Sequence, residues 1–175
     1  MKSIFYLLAL CSTIAFCQEE PSAKTIRNNE ASLNIGNLLI FKAIDLSYER
    51  YLNEESGVGA SILISLGGDK RFSDDGPYYY ESFALTGFYK FYFGDRPNSG
   101  FFSELYLIYS RGKYDVNATY EKFSQLAVGL SVGIKFRSKL GFVGSIYGGV
   151  GRNFLDTKNT PEISPRLGIT IGYTF

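Results

Sequence analysis

The sequence predicts an all-β chain: an eight-stranded antiparallel up-and-down transmembrane β-barrel that follows a cleaved N-terminal signal peptide. Three observations predict it. Apolar and small or polar residues alternate with period two through eight segments. The apolar rows are broad, aromatic and almost free of charge, whereas the opposite rows are mostly Gly, Ser, Thr and Ala. The connections between segments alternate short and long. Composition agrees, since 175 residues with 45% hydrophobic character and 29 aromatics (14 Tyr, 15 Phe) make a chain that buries surface, and the length suits one domain.

Residues 1–17 read as an export signal. Lys2 gives the positive start, residues 4–10 are apolar, and Ala15, Phe16 and Cys17 form a small-x-small cleavage site before Gln18. The apolar run is too short for a membrane helix, which needs about 20 residues. An acylated Cys17 is the rival reading; Phe16 sits where a lipoprotein signal wants a small residue. Both cysteines fall within residues 1–17, so cleavage after Cys17 leaves a chain without thiols, held by a core or a membrane rather than by disulfides. Residues 18–30 are expected as a periplasmic N-terminal segment and residues 31–175 as the barrel.

The strands follow in order. The first lies within residues 31–40. Residues 43–52 set Ile44, Leu46, Tyr48 and Leu52 against Asp45, Ser47 and Glu49; residues 57–66 set Val58, Ala60, Ile62 and Ile64 against Gly57, Gly59, Ser61 and Ser65. Residues 82–93 oppose Phe83, Leu85, Tyr89, Phe91 and Phe93 to Ser82, Ala84, Thr86 and Lys90, and residues 101–111 oppose Leu105, Leu107 and Tyr109 to Glu104, Tyr106 and Ser110. Residues 125–136 run Leu126, Val128, Leu130, Val132, Ile134 and Phe136 against Gln125, Ala127, Gly129, Ser131, Gly133 and Lys135. In residues 140–151, Phe142, Ile146 and Val150 oppose Ser145 and Tyr147. The last strand, residues 167–175, alternates Leu167, Ile169, Ile171, Tyr173 and Phe175 with Gly168, Thr170, Gly172 and Thr174. No helical pattern intervenes, so an antiparallel meander of strands about 9–12 residues long is expected.

Face polarity chooses between kinds of barrel. A soluble barrel keeps its apolar face inside and its charges outside. Small residues instead suit the crowded interior of a narrow barrel, and a charge-free aromatic face suits lipid, where Lys or Arg costs about 2–4 kcal/mol at the midplane. Arg50, a charge on the apolar register, sits beside the turn at residues 53–56, where that cost is small. Residues 53–56, 94–100 and 137–139 are short turns; residues 67–79, 112–121 and 152–164 are longer and polar. This pattern puts both termini on the periplasmic side and the long loops outside. Tyr51, Phe91, Phe93, Phe101, Phe136, Phe142, Tyr173 and Phe175 near the turns, with Phe83 and Tyr109 toward the long loops, are expected as interfacial girdles.

The ending "GITIGYTF" resembles that of bacterial outer-membrane barrels. The resemblance implies that Tyr173 and Phe175 belong to a C-terminal signal read by the barrel assembly machinery. The stretch "SLNIGNLLIFKAIDLSYERYLNEESGVGASI" is similar to small eight-stranded barrels of Bacteroidetes, including the DUF3575-type group. That resemblance implies outer-membrane lipid as the surroundings and supplies no catalytic residue.

The chain has no His, which removes Ser-His-Asp, Cys-His and His-metal chemistry, and 18 basic against 17 acidic residues give no electrostatic case for nucleic acid. Glu49, Lys90, Glu104 and Lys135 fall on the polar register near short turns. They should share one layer of the lumen and pair there, because an unpartnered buried charge is expensive. Lys90 and Glu104 are equidistant from Pro97, the centre of their turn, and should face each other. Asp69, Arg71, Asp74, Asp75, Tyr78, Tyr79 and Tyr80 form a solvated external loop without the regular spacing of a Ca²⁺ site, and they are the expected contact surface. Gly148, Gly149 and Gly151 lack the strand-to-helix context of a phosphate loop. No cofactor or metal is expected. The expected function is a non-enzymatic integral outer-membrane protein acting through its loops. A narrow channel gated by the four lumen charges and a soluble secreted lipocalin-like barrel are the alternatives.

Overall fold

A computed structural model of the chain describes residues 27–66, 79–116, 119–155 and 162–175, with backbone alone at residues 79–80, 114–116 and 119–121. The signal segment and residues 18–26 lie outside the described residues. Eight antiparallel strands follow one another around a closed barrel in sequence order: β1 (Asn29–Asn34), β2 (Ala43–Tyr51), β3 (Ser56–Ser65), β4 (Tyr79–Tyr92), β5 (Gly100–Val116), β6 (Thr119–Arg137), β7 (Phe142–Asn153) and β8 (Ile163–Thr174). A short helix, α1 (Ile35–Phe41), links β1 to β2. The barrel closes where β1 pairs with β8, and Asn29 and Phe175 exchange backbone hydrogen bonds of 3.1 and 2.8 Å.

Alternation sorts the side chains as the sequence predicts. Leu46, Ile62, Leu105, Leu130, Val150 and Leu167 are exposed on the outside, while Lys90, Glu104, Ser110, Gln125, Lys135 and Thr170 are buried inside. Strands of period two allow no other division once one face is fixed. Inward hydroxyls pair across neighbouring strands, Ser32 with Ser47 at 2.7 Å and Ser145 with Thr170 at 2.6 Å. Inward aromatics lie over glycines of the adjacent strand. A Cβ on Gly168 would stand 2.3 Å from the Tyr147 ring, so only glycine admits that ring.

Short connections form tight turns. In the β2–β3 turn the Asn53 side chain accepts from the Glu55 N–H (2.9 Å) and the Ser56 hydroxyl (3.0 Å), an Asn-driven turn. Gly141 closes the β6–β7 turn at φ 99°, a conformation that favours glycine.

Several expectations are corrected. The first strand begins at Asn29, so Asn29 and Glu30 belong to the wall rather than to a periplasmic segment. It is only six residues long, because Leu38, Leu39, Ile40 and Phe41 break the alternation and coil into α1, which Asn34 caps. Residues 112–121 are not a long loop: β5 continues to Val116 and β6 starts at Thr119, giving strands of 17 and 19 residues rather than 9–12. Ser82 faces outward, because the β4–β5 register shifts between Glu81 and Phe83 and Ser82 is the bulged extra residue. Tyr51 leaves the expected girdle and points inward, on the register of Asp45 and Glu49.

Candidate functional site: the ionic plug of the lumen

Glu49, Lys90, Glu104 and Lys135 come together inside the barrel. Lys90 stands opposite Glu104 in the β4–β5 register, with 3.8 Å between its Nζ and Oε2. Lys90 Nζ donates to Glu49 Oε2 at 2.8 Å. Lys135 Nζ donates to the same oxygen at 2.9 Å, to Glu30 Oε2 at 3.0 Å and to the Tyr92 hydroxyl at 2.6 Å. Tyr92 in turn donates to Glu49 Oε1, and Tyr51 donates to Glu30 Oε2. Glu49 and Lys135 keep 2% and 1% of their surface, so the network is dry and each charge depends on its partners.

Aromatic rings line the ionic network. Tyr51, Tyr92, Phe102 and Tyr147 form a column with ring centroids 5.8 to 6.5 Å apart. Lys90 Nζ lies 4.5 Å from the Phe88 centroid and Lys135 Nζ 4.9 Å from that of Tyr92, so both ammonium groups also have a π face. Above this layer Arg166 reaches Glu104 (Nη2 to Oε1, 3.5 Å) and lies 4.9 Å from the Tyr106 centroid. The result is a nearly charge-balanced plug across the lumen, in keeping with the narrow interior of eight strands. A small polar cavity of about 10 Å³, lined among others by Asn34, Asp45, Glu104, Tyr147 and Arg166, remains beside it, with room for about one water.

Four members of the network escape the sequence reading: Glu30, Tyr51, Tyr92 and Arg166. Three of them were within reach of the alternation itself. Tyr51 and Tyr92 continue the polar registers of Glu49 and Lys90 by two residues, and Arg166 continues the even-numbered row of β8. Glu30 becomes legible only once β1 is known to start at Asn29.

The other candidates are placed separately. Asp69, Arg71, Asp74, Asp75 and Tyr78 lie outside the described residues. Tyr79 and Tyr80 open β4, opposite Tyr114 and Lys113, and so belong to a strand rather than to a free loop. Tyr173 and Phe175 are exposed on the outer face of the closing seam; Tyr173 meets Phe142 edge to face at 5.5 Å, and the Arg27 guanidinium lies 5.4 Å from its centroid. Among the described residues no group of three or more His, Cys, Asp or Glu is arranged to hold a metal. No family model, curated protein or solved structure matches the chain.

Proposed function

We propose that this protein is a non-enzymatic integral barrel of the bacterial outer membrane, which presents the loops opposite its short turns to a surface partner. One observation carries the reading: an apolar band covers the outside of the barrel while the ions are inside. On β6 the outward residues from Leu126 to Phe136 are all apolar. Ten residue steps cover about 34 Å of strand, or about 26 Å along the axis at a tilt near 40°. That height matches the roughly 25 Å apolar band of outer-membrane barrels. Outward cations stand beyond the band at Arg50 on the short-turn end and at Arg111 and Lys122 on the other, and Arg152, opposite Val128, sits one outward residue inside its upper edge. A soluble ligand carrier wants the reverse polarity, and the plug of Glu30, Glu49, Lys90 and Lys135 favours a closed barrel over an open channel.

In this reading lipid contacts the outer band, and the C-terminal strand with Tyr173 and Phe175 is what the assembly machinery engages. Residues 69–78 are the favoured contact surface, with Tyr79 and Tyr80 anchoring them to β4. Cell fractionation with heat-modifiable gel mobility tests the proposal. The protein is expected in the outer-membrane fraction, with an unboiled band that shifts on heating. Recovery in the soluble periplasmic or secreted fraction would overturn it. Replacing residues 69–78 with a Gly-Ser linker is expected to leave the shifting band intact while abolishing surface interaction.

A further inference from the structure

The long outer ends of β5 and β6 carry cations on the outward side of the wall. Outward residues climb these two strands in matched rows. Tyr109 stands opposite Leu126 at the top of the apolar band, Arg111 opposite Ser124 comes next, and Lys113 directly opposite Lys122 follows. All three cations are exposed. Each row lies two residue steps above the last, about 7 Å along the strand or about 5 Å along the axis at a tilt near 40°. The cations therefore rise about 5 and 10 Å beyond the band. Lipid headgroups occupy about 5–8 Å beyond the hydrocarbon on each side of a bilayer, and long Lys and Arg side chains reach along the wall to that level.

Sign and spacing set this patch apart. Like charges directly opposite across a strand pair destabilise it, yet the register sets Lys113 against Lys122, with Arg111 on the diagonal about 7–8 Å from Lys122. Neither Arg111 nor Lys122 takes part in an ion pair among the described residues. Arg111 instead lies over the Phe83 ring, 5.6 Å from its centroid, which holds the guanidinium at the edge of the apolar band. Asp115 follows opposite Tyr120, one row further from the band. The other end of the barrel differs: around the short turns the exposed acids Glu54, Glu55 and Asp95 accompany Arg50 and Arg96, so the signs there are mixed.

We propose that Arg111, Lys113 and Lys122 form a docking surface for the phosphate groups of anionic lipids in the outer leaflet. A phosphate set between the two lysines turns their mutual repulsion into a shared attraction. The lysines act as point charges, while the guanidinium offers its planar fork to two phosphate oxygens. The acyl chains then lie along the outward rows below, over Tyr109, Leu126, Leu107 and Val128. This inference rests on the membrane reading above and names the lipid chemistry that the outer rim selects.

Native mass spectrometry of the barrel, purified from membranes and released from detergent micelles, tests it. The probes are diphosphoryl lipid A, its dephosphorylated form and phosphatidylcholine. Folded barrel, identified by its heat-modifiable mobility, should retain diphosphoryl lipid A at least about tenfold better than either other lipid. Arg111→Ser, Lys113→Ser and Lys122→Ser together should abolish that preference. Arg50→Ser, at the other end, should keep it, as should Lys113→Arg with Lys122→Arg. Lys122→Glu alone, which sets opposite charges across the ladder, should lower retention at least about threefold without loss of the folded band. Equal retention of phosphorylated and dephosphorylated lipid by the folded parent, unchanged retention by the triple variant, or a triple variant that loses only self-association in the same spectra would overturn this inference and leave the membrane assignment standing. Recovery of the protein in the soluble fraction alone would overturn both.

Discussion

Lys135 is the residue on which the lumen network most depends, and its replacement by Met is the sharpest test of that network. The change nearly conserves volume but removes three donations at once, to Glu30, Glu49 and Tyr92. The two carboxylates do not suffer equally. Glu49 keeps Lys90 at 2.8 Å and the Tyr92 hydroxyl, whereas Glu30 keeps only the Tyr51 hydroxyl and becomes an uncompensated buried anion. Breaking a buried ion pair from one side costs about 3–5 kcal/mol, two to nearly four powers of ten in the ratio of folded to unfolded barrel at about 1.4 kcal/mol per tenfold. Glu30→Gln removes the stranded charge, so the double variant should regain much of the loss. Measured as a double-mutant cycle, the coupling should exceed about 1.5 kcal/mol, within the range for residues in contact. Urea unfolding of the refolded barrel, followed by gel mobility and far-ultraviolet circular dichroism because the chain has no Trp, gives the numbers. A Lys135→Met barrel within about 1 kcal/mol of the parent, or a double variant as unstable as the two single losses added, would refute the reasoning.

Three further outcomes are expected. Leu130→Arg places a cation on the outer face at a residue that is 63% exposed and level with Leu105 and Val150; in a membrane barrel it should cost about 2–4 kcal/mol, whereas an exposed site of a soluble barrel would shift by about 0.5 kcal/mol or less, and bilayer folding titrations separate the two. Gly168→Ala should cost about 1–3 kcal/mol by overpacking, because its methyl would meet the Tyr147 ring. Unfolding curves should show this loss relieved when Tyr147 is also changed to Ala, and strict additivity would exclude the contact as the cause. Planar-bilayer recording of the parent barrel should stay at baseline, since the layer of Glu30, Glu49, Lys135 and Tyr92 leaves no path; a steady ohmic conductance would mean that the plug does not seal.

What the sequence reveals and conceals follows from where water is excluded on one side only. Between the rims each strand has one oily and one crowded face, so alternation is strong and the facing of Leu130, Lys135 or Thr170 can be read directly. In residues 112–121 the sequence does alternate, Gly112, Tyr114, Val116, Ala118 and Tyr120 against Lys113, Asp115, Asn117, Thr119 and Glu121, so the ladder through Val116 and Thr119 is legible there, and it is the charges of the polar row that disguise it as a loop. A different ambiguity hides α1. Residues 38–41 are a short apolar run, which periodicity alone cannot assign to helix or strand, and only the cap at Asn34 distinguishes it. Of the lumen network, the register gives Glu49, Lys90, Glu104 and Lys135, while Arg166 and Tyr51 are lost by ending the alternation two residues early.

The mutual bonds between Asn29 and Phe175 join residues 146 positions apart. Strands β2 to β7 find both neighbours through nearby hairpins, whereas β1 and β8 gain their second neighbour only from each other. Bringing such distant segments together carries the largest loop entropy in the molecule, and high sequence separation slows folding. The cylinder should therefore zip from its hairpins and shut last at this junction, and a chain interrupted before that step would be an open curved sheet with two raw edges.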